Sequence, residues 1–339
     1  MRLVTSLTID ASLLRKLLRL WDASGDSRNP FAAVLITPLF AEPSTLSLVR
    51  EELKEKRGSI IYFDSGGYYA QQGKISFTEL YCKLRDYYLD AANRWADWYV
   101  LPDNVPTSRD SPEEVNRKVL DTVTAAKLFY TEMPSEIQER AMPVVHGHTF
   151  VQVNLCLETY KEIGVTYIGF GSFGTSGATN SINVADRRSA EALSHIVKQL
   201  RSEHIRLHTF GVSTPPVVYA FNKLGIYSFD SMAWLRSAGY GKVFLPFTRA
   251  YNVSHRSTRN SALTQEEFEE LRLRTGHWCP FCESFEKLRE DRLYRSLHNL
   301  AVLLEMAEGI GHMGSTEIAR LIADKSERYY RMFGDLYNA

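Results

Sequence analysis

Ser59-Ile60-Ile61-Tyr62-Phe63-Asp64-Ser65-Gly66-Gly67-Tyr68 sets the reading of the whole chain. A β-branched and aromatic run stops at an aspartate. Ser-Gly-Gly follows, which offers backbone N–H groups and lets a ligand approach the main chain closely. The same grammar recurs at Ala32 to Thr37, Trp98 to Leu101, Met142 to His146, Tyr167 to Gly169, Arg206 to Phe210 and Tyr227 to Phe229, and an eighth strand is expected near Lys242 to Leu245. Between these runs lie Phe77 to Trp95, Pro112 to Tyr130, Val151 to Ile163, Arg187 to Glu203 and Pro215 to Leu224, each long enough for a crossover helix. Alternating strands and helices build a parallel sheet, and seven or eight such units point to an α/β fold of the (β/α)8 TIM-barrel type. No phosphate loop of the Gly-x4-Gly-Lys-Ser/Thr kind follows any strand, which argues against one common open-sheet alternative.

With 339 residues, 44% of them hydrophobic, the chain can bury one large core. Lys plus Arg and Asp plus Glu both number 40, so no global positive field advertises a polyanionic partner. Any nucleic acid must then be met by a local patch, with strong salt dependence and help expected from a partner protein. No stretch of 18 apolar residues and no signal-peptide succession is present, so a cytoplasmic protein without membrane contact is expected. The expected organisation is a barrel over residues 1–260 and a C-terminal zinc-binding helical extension over 261–339 packed on it. That extension should carry helices near Gln265 to Arg274, Leu297 to Ala307 and Ser315 to Phe333.

Asp64, Asp103, His146, Gly169, Gly211 and Asp230 all fall just after strands, and in a barrel such positions open onto the C-terminal face where substrates bind. A lone aspartate at a strand end is more often a helix cap, and a lone Tyr68 or Phe210 more often core. Their coincidence at consecutive strand ends reverses that reading. Two carboxylates can divide the work at a glycosidic bond, one holding the sugar covalently and one managing protons. His277-x-Cys279-x2-Cys282 with the later His298 has the spacing of a closed Cys2His2 zinc site, expected to be structural because no ligand lies at the barrel mouth. Cys82 and Cys156 stand alone, so no disulfide framework is expected.

These residues together resemble the tRNA-guanine transglycosylase family, most closely its DNA-directed branch, the DpdA-type enzymes that put 7-deazaguanines into DNA. Asp64 to Tyr68 matches the Asp-Ser-Gly-Gly-aromatic motif, which implies Asp64 as general acid/base, Ser65 at the base and Tyr68 stacking on it. Phe229-Asp230 matches the Phe-Asp strand end, which implies Asp230 as the nucleophile on the anomeric carbon. Phe210-Gly211-Val212-Ser213-Thr214-Pro215 is similar to the Gly-Val-Gly-Thr-Pro loop, with Phe210 over the second face of the base. Leu101-Pro102-Asp103 supplies the purine-reading aspartate. Val145-His146-Gly147 departs from Val-Gln-Gly, and Gly169-Phe170-Gly171-Ser172-Phe173-Gly174 departs from Gly-Gly-Leu-Ala-Val-Gly while keeping two glycines in register. His277 stands where the family has the first cysteine of its zinc motif, and His298-Asn299-Leu300 matches the last ligand.

The resemblance implies replacement of guanine in DNA by a free 7-deazaguanine, 7-cyano-7-deazaguanine in particular, through a covalent Asp-glycosyl intermediate. Phosphate contacts are expected from Arg236, Lys242, Arg249, Arg256 and Arg259. The segment Phe229 to Trp234 with Gly239 to Lys242 replaces the family's Pro-Thr-Arg stretch and points to the DNA branch. Two alternatives lie within the family: a tRNA-guanine enzyme of the queuine or archaeosine pathways, and a catalytically silent nucleic-acid-binding subunit. Outside it stands a zinc-dependent hydrolase of small substrates.

Overall fold

The computed structural model describes residues 1–175, 183–254, 262–309 and 313–338. Nine short parallel strand segments form one sheet: β1 (Arg2–Ser6), β2 (Ala33–Ile36), β3 (Ile60–Phe63), β4 (Trp98–Val100), β5 (Ala141–Met142), β6 (Val144–Val145), β7 (Tyr167–Phe170), β8 (Arg206–Thr209) and β9 (Ser228–Ser231). Their spatial order is β5-β4-β3-β2-β1-β9-β8-β7-β6. β5 and β6 are two halves of one run split at Pro143, which has no N–H to give to a ladder. The first half pairs with β4 and the second with β7, so the sheet closes on itself as a barrel. All four residues of β2 and of β9 are buried, as expected where helices cover the outer face and side chains fill the inside.

Helices follow the strands where the periodicity places them: Phe77–Leu89, Pro112–Glu132, Phe150–Glu162, Arg187–Leu200 and Pro215–Leu224. Their starts are written in the sequence. Ser111 accepts from the Glu114 N–H ahead of Pro112, and Thr149 and Asp186 each close a reciprocal capping box. The helix Arg292–Glu308 is buried on every face from Arg295 to Ala307, and it packs against β1 and the helices Ala11–Ser24, Pro215–Leu224 and Ala233–Gly239. Each fully buried leucine in it, such as Leu297, Leu300 and Leu303, contributes about 1.5–3 kcal/mol by leaving water.

Two expectations are corrected. The eighth barrel position belongs to Arg2–Ser6, whose backbone pairs on one side with β2 and on the other with β9. Lys242 to Leu245 does not enter the barrel. Only Lys242–Val243 is strand (β10), and it pairs antiparallel with Tyr251–Asn252 (β11) outside it. The backbone explains why: the Phe244 N–H donates to Asn299 Oδ1 at 2.7 Å, so it has no barrel neighbour to serve. The single helix expected over Ser315 to Phe333 is two, Ser315–Lys325 and Glu327–Tyr337, broken at Ser326.

Candidate active site

Asp64 follows β3 by one residue, and its N–H donates to the Ile36 carbonyl at 2.9 Å, which fixes it at the C-terminal rim. Thr37, just past β2, donates its hydroxyl to Asp64 Oδ2 at 2.8 Å. Solvent reaches the carboxyl only in part. Burial pushes its pKa up to about 7, and the nearby charges of Asp103 and Asp230 push the same way against the hydrogen bonds from Thr37 and the Gly66 backbone. Asp64, Asp103 and Asp230 are thus electrostatic neighbours in one site. A carboxyl balanced near neutrality can both give and take a proton.

Asp230 lies inside β9, opposite Val4 of β1, and is 5% exposed. Three donors converge on it: Gly211 N–H at 3.1 Å and His208 Nε2 at 3.1 Å on Oδ1, and the Ser6 hydroxyl on Oδ2. Gly211 has φ +76, a conformation that favours glycine. The Gly211 N–H thus cradles this carboxylate.

Asp64, Ser65, Tyr68, Asp103, His146 and Phe210 line a single cavity of about 80 Å³, together with Gly67 and Gly171. Tyr68 and Phe210 are its aromatic walls. Asp103 accepts from Ser65 Oγ at 2.5 Å and meets His146 Nε2 at 2.8 Å. Ser172 Oγ accepts from the Gly147 N–H at 2.9 Å and lies 3.2 Å from His146 Nδ1. If the Ser172 hydroxyl donates to Nδ1, the ring presents Nε2–H to Asp103. Glycines make this packing achievable: a Cβ on Gly67 would sit 2.5 Å from Asp103 Oδ1, on Gly171 2.6 Å from His146 Cε1, and on Gly169 2.2 Å from the Phe210 ring. Phe170 does not join them. It is fully buried in the core outside the barrel, edge-on to Phe173 with centroids 5.1 Å apart.

Lys242 and Arg249 are exposed and share a separate groove of about 500 Å³ with Arg274 and Lys325, but also with Glu267, Glu270 and Asp324. Arg236 lies on the helix Ala233–Gly239 that follows the Asp230 strand. Arg256 and Arg259 fall outside the described residues. A depression of about 870 Å³ also opens at the strands' N-terminal end, where none of the strand-end aspartates lies. Both of these hollows are larger than the aspartate cavity, but convergent chemistry and not volume marks the site.

His277, Cys279, Cys282 and His298 bring one donor atom each within 4.8 Å of one another, all four residues buried. The sulfurs are 3.3 Å apart, and each is 3.5 Å from His298 Nδ1. The histidine orientations are set from behind, by Glu305 Oε2 at 2.6 Å from His277 Nδ1 and by the Phe244 carbonyl at 2.9 Å from His298 Nε2. This leaves His277 Nε2 buried with no protein partner. An orphaned ring nitrogen facing two sulfurs and a second imidazole fits a tetrahedral metal ion such as zinc.

A family profile described as queuine tRNA-ribosyltransferase (TGT) matches residues 92–314, about two thirds of the chain. The chain belongs to the queuine tRNA-ribosyltransferase family. Comparison with curated proteins gave no match. Queuine tRNA-ribosyltransferases are pentosyltransferases that exchange a guanine base, so a transglycosylase site is the frame for these side chains. The span matching that family contains Asp103, His146, Phe210, Asp230 and the metal cluster. Asp64 to Tyr68 lie outside it and reach the same cavity through the barrel fold. No described helix is long and apolar enough to cross a membrane. Ser6, Thr37, Ser172 and His208 are site residues that the sequence reading missed. For Ser6 and Thr37 a signal existed: each is the last polar residue of a short apolar run, as Asp64 is of its own.

Proposed function

We propose that the protein replaces guanine in DNA by a 7-deazaguanine base, 7-cyano-7-deazaguanine being the incoming base, through a covalent Asp230-glycosyl intermediate. The observation that carries this reading is the convergence of Asp64 and Asp103 on one cavity walled by Tyr68 and Phe210, with Asp230 on strand β9 close enough for its charge to raise the Asp64 pKa. An Asp230 oxygen attacks the anomeric carbon, the bond to purine N9 breaks, and Asp64 in its acid form protonates the departing guanine. The incoming deazapurine then loses its N9 proton to the Asp64 carboxylate. Its nitrogen attacks the same carbon and expels Asp230, which restores both carboxyl groups to their starting states.

Ser65, Asp103 and His146, which line the same cavity as the two aromatic rings, would read the edge of a base held between them. A histidine in place of the family's glutamine alters the donor pattern offered there. The target must leave its stack to enter, with Arg236, Lys242 and Arg249 taking phosphates. Zinc held by Cys279, Cys282, His277 and His298 would supply fixed tetrahedral geometry joining residues 277–282 to the helix Arg292–Glu308. The division into a barrel over 1–260 and a metal-binding helical part over 261–339, a cytoplasmic location and a partner protein belong to the same proposal.

A second reading, exchange in tRNA, is favoured by the description of the matching family, which names tRNA as the acceptor. One experiment separates them. The protein is incubated with duplex DNA or with tRNA and a radiolabelled deazapurine, and incorporation is measured in each polymer. Label in DNA and not in tRNA is the expected outcome, together with a denaturation-resistant protein–DNA adduct. Asp230→Asn should lose the adduct while its circular dichroism stays unchanged. Tight binding without exchange on either polymer would overturn the enzyme reading in favour of a silent subunit.

A further inference from the structure

The barrel interior holds a line of polar groups that the exchange chemistry leaves unused. His208 Nε2 meets Asp230 Oδ1 at 3.1 Å, and its Nδ1 meets Ser228 Oγ at 2.6 Å. Ser228 Oγ in turn hydrogen-bonds the Tyr167 hydroxyl, which lies 3.3 Å from the Tyr62 hydroxyl. Arg2, at the start of β1 and the opposite end of the barrel from Asp230, holds its guanidinium over the Tyr227 ring, and its charge acts on Tyr62. His208 and Ser228 are fully buried, and Tyr62 and Tyr167 equally so.

The carboxylate end of this line dictates its direction. A carboxylate can only accept. Each hydroxyl therefore passes its one proton toward Asp230: Tyr62 to Tyr167, Tyr167 to Ser228, Ser228 to His208 Nδ1. The imidazole then has Nε2–H left for Asp230. Burial raises both phenols above their ordinary value, so each keeps the proton it donates. Were the line reversed at any point, two hydroxyl protons would face each other or one oxygen would lose its donor, at the cost of a buried unsatisfied group.

We infer that His208 is a positioning residue for Asp230, its Nε2–H tautomer fixed by a one-way chain of hydrogen bonds that runs from Tyr62 through the barrel interior. The inference rests on the reading of Asp230 as nucleophile. With Gly211 and His208 on one oxygen and Ser6 on the other, the carboxylate is held in a single orientation. Serine at 228 has the further task of choosing which imidazole nitrogen carries the proton.

Protein labelled with 15N-histidine gives the tautomer directly from long-range 1H–15N spectra, with His208 assigned by the signal missing in His208→Gln. The Nε2–H form is expected in the wild type, and Ser228→Ala should shift the ring toward a mixture of tautomers. A wild-type ring found as the Nδ1–H form, or doubly protonated, overturns the inference without reference to turnover. In exchange kinetics, His208→Leu should lower kcat by about 10- to 100-fold, the worth of one hydrogen bond to a charged group, and leave KM for the incoming base within about threefold. His208→Gln, which keeps a donor in reach, should recover most of that loss. An unchanged kcat in His208→Leu overturns the positioning role. Failure of the underlying reading looks different: Asp230→Asn would retain exchange while the wild-type tautomer came out as expected.

Discussion

At the scale of single residues, the raised pKa of Asp64 links the proton transfer proposed for it to the stability of the fold. The unfolded chain ionises this carboxyl at its ordinary value of 3.8, whereas the folded site holds the proton up to about 7. Its contribution to stability is therefore full below pH 4 and is lost as pH rises through 7. Asp64→Asn removes the titration. The variant should lose exchange activity yet exceed the wild type in stability at pH 8 by about 1–3 kcal/mol, after allowance for solvent at the cavity mouth. Urea titrations at pH 5 and pH 8 check this, with the larger difference expected at pH 8, because at pH 5 the unfolded carboxyl is already ionised and only part of the contribution has been lost. A variant less stable than wild type at both values would mean that the Thr37 hydrogen bond outweighs the buried charge. Asp64, Asp103 and Asp230 could be picked out in the sequence because each ends a strand-like run, and glycines follow Asp64. His208 and Ser228 could not, because a polar residue inside a strand looks the same whether it fills a barrel or orients a nucleophile.

Among the elements, the helix Arg292–Glu308 does most to tie the metal cluster to the site. Its Asn299 accepts from Phe244 N–H at 2.7 Å and donates to the carbonyls of Trp234 at 3.0 Å and Lys242 at 3.2 Å. Arg295 donates to the carbonyls of Ala238, Leu288 and Arg289, and His298 meets both the thiols and the Phe244 carbonyl. The segment that follows Asp230 is thereby fastened by buried side chains of one helix. Asn299→Ala would orphan three backbone groups, and a loss on the order of 3 kcal/mol is expected in denaturant unfolding. Chelation should act through the same element. A structural zinc predicts that the melting temperature falls and that exchange disappears only as the fold does, whereas a catalytic metal predicts lost exchange with unchanged circular dichroism. The helix was legible from its His-Asn-Leu match and its apolar period. The strand it packs on was not: Arg2–Ser6 is five residues long with Thr5 and Ser6 at its end, while the apolar Val243, Phe244 and Leu245 imitate a strand and are buried beside Asn299 and His298 instead.

For the molecule as a whole, 40 basic and 40 acidic side chains leave no net field to draw in a polyanion, so binding must come from where cations are placed. Lys242 and Arg249 are exposed on one groove, and Glu267, Glu270 and Asp324 share it. Such a mixed surface holds phosphates at a few points and repels them elsewhere, which favours one path for the strand over general adhesion. Counterion release gives this a number: each phosphate neutralised steepens the dependence of log Kd on log salt by about 0.9 on duplex DNA and about 0.7 on a single strand. If Lys242 and Arg249 each hold one phosphate, the variant Lys242→Gln with Arg249→Gln should lower the slope by about 1.8 on duplex DNA. It should weaken binding uniformly across sequences, because phosphate contacts carry no base information. Fluorescence anisotropy over a salt series measures both quantities. A fall nearer 1.4 would mean that the strand reaching this groove is already unpaired, as the extrusion of a target base requires. An unchanged slope would assign the phosphate path to other cations and leave this groove outside the nucleic-acid footprint.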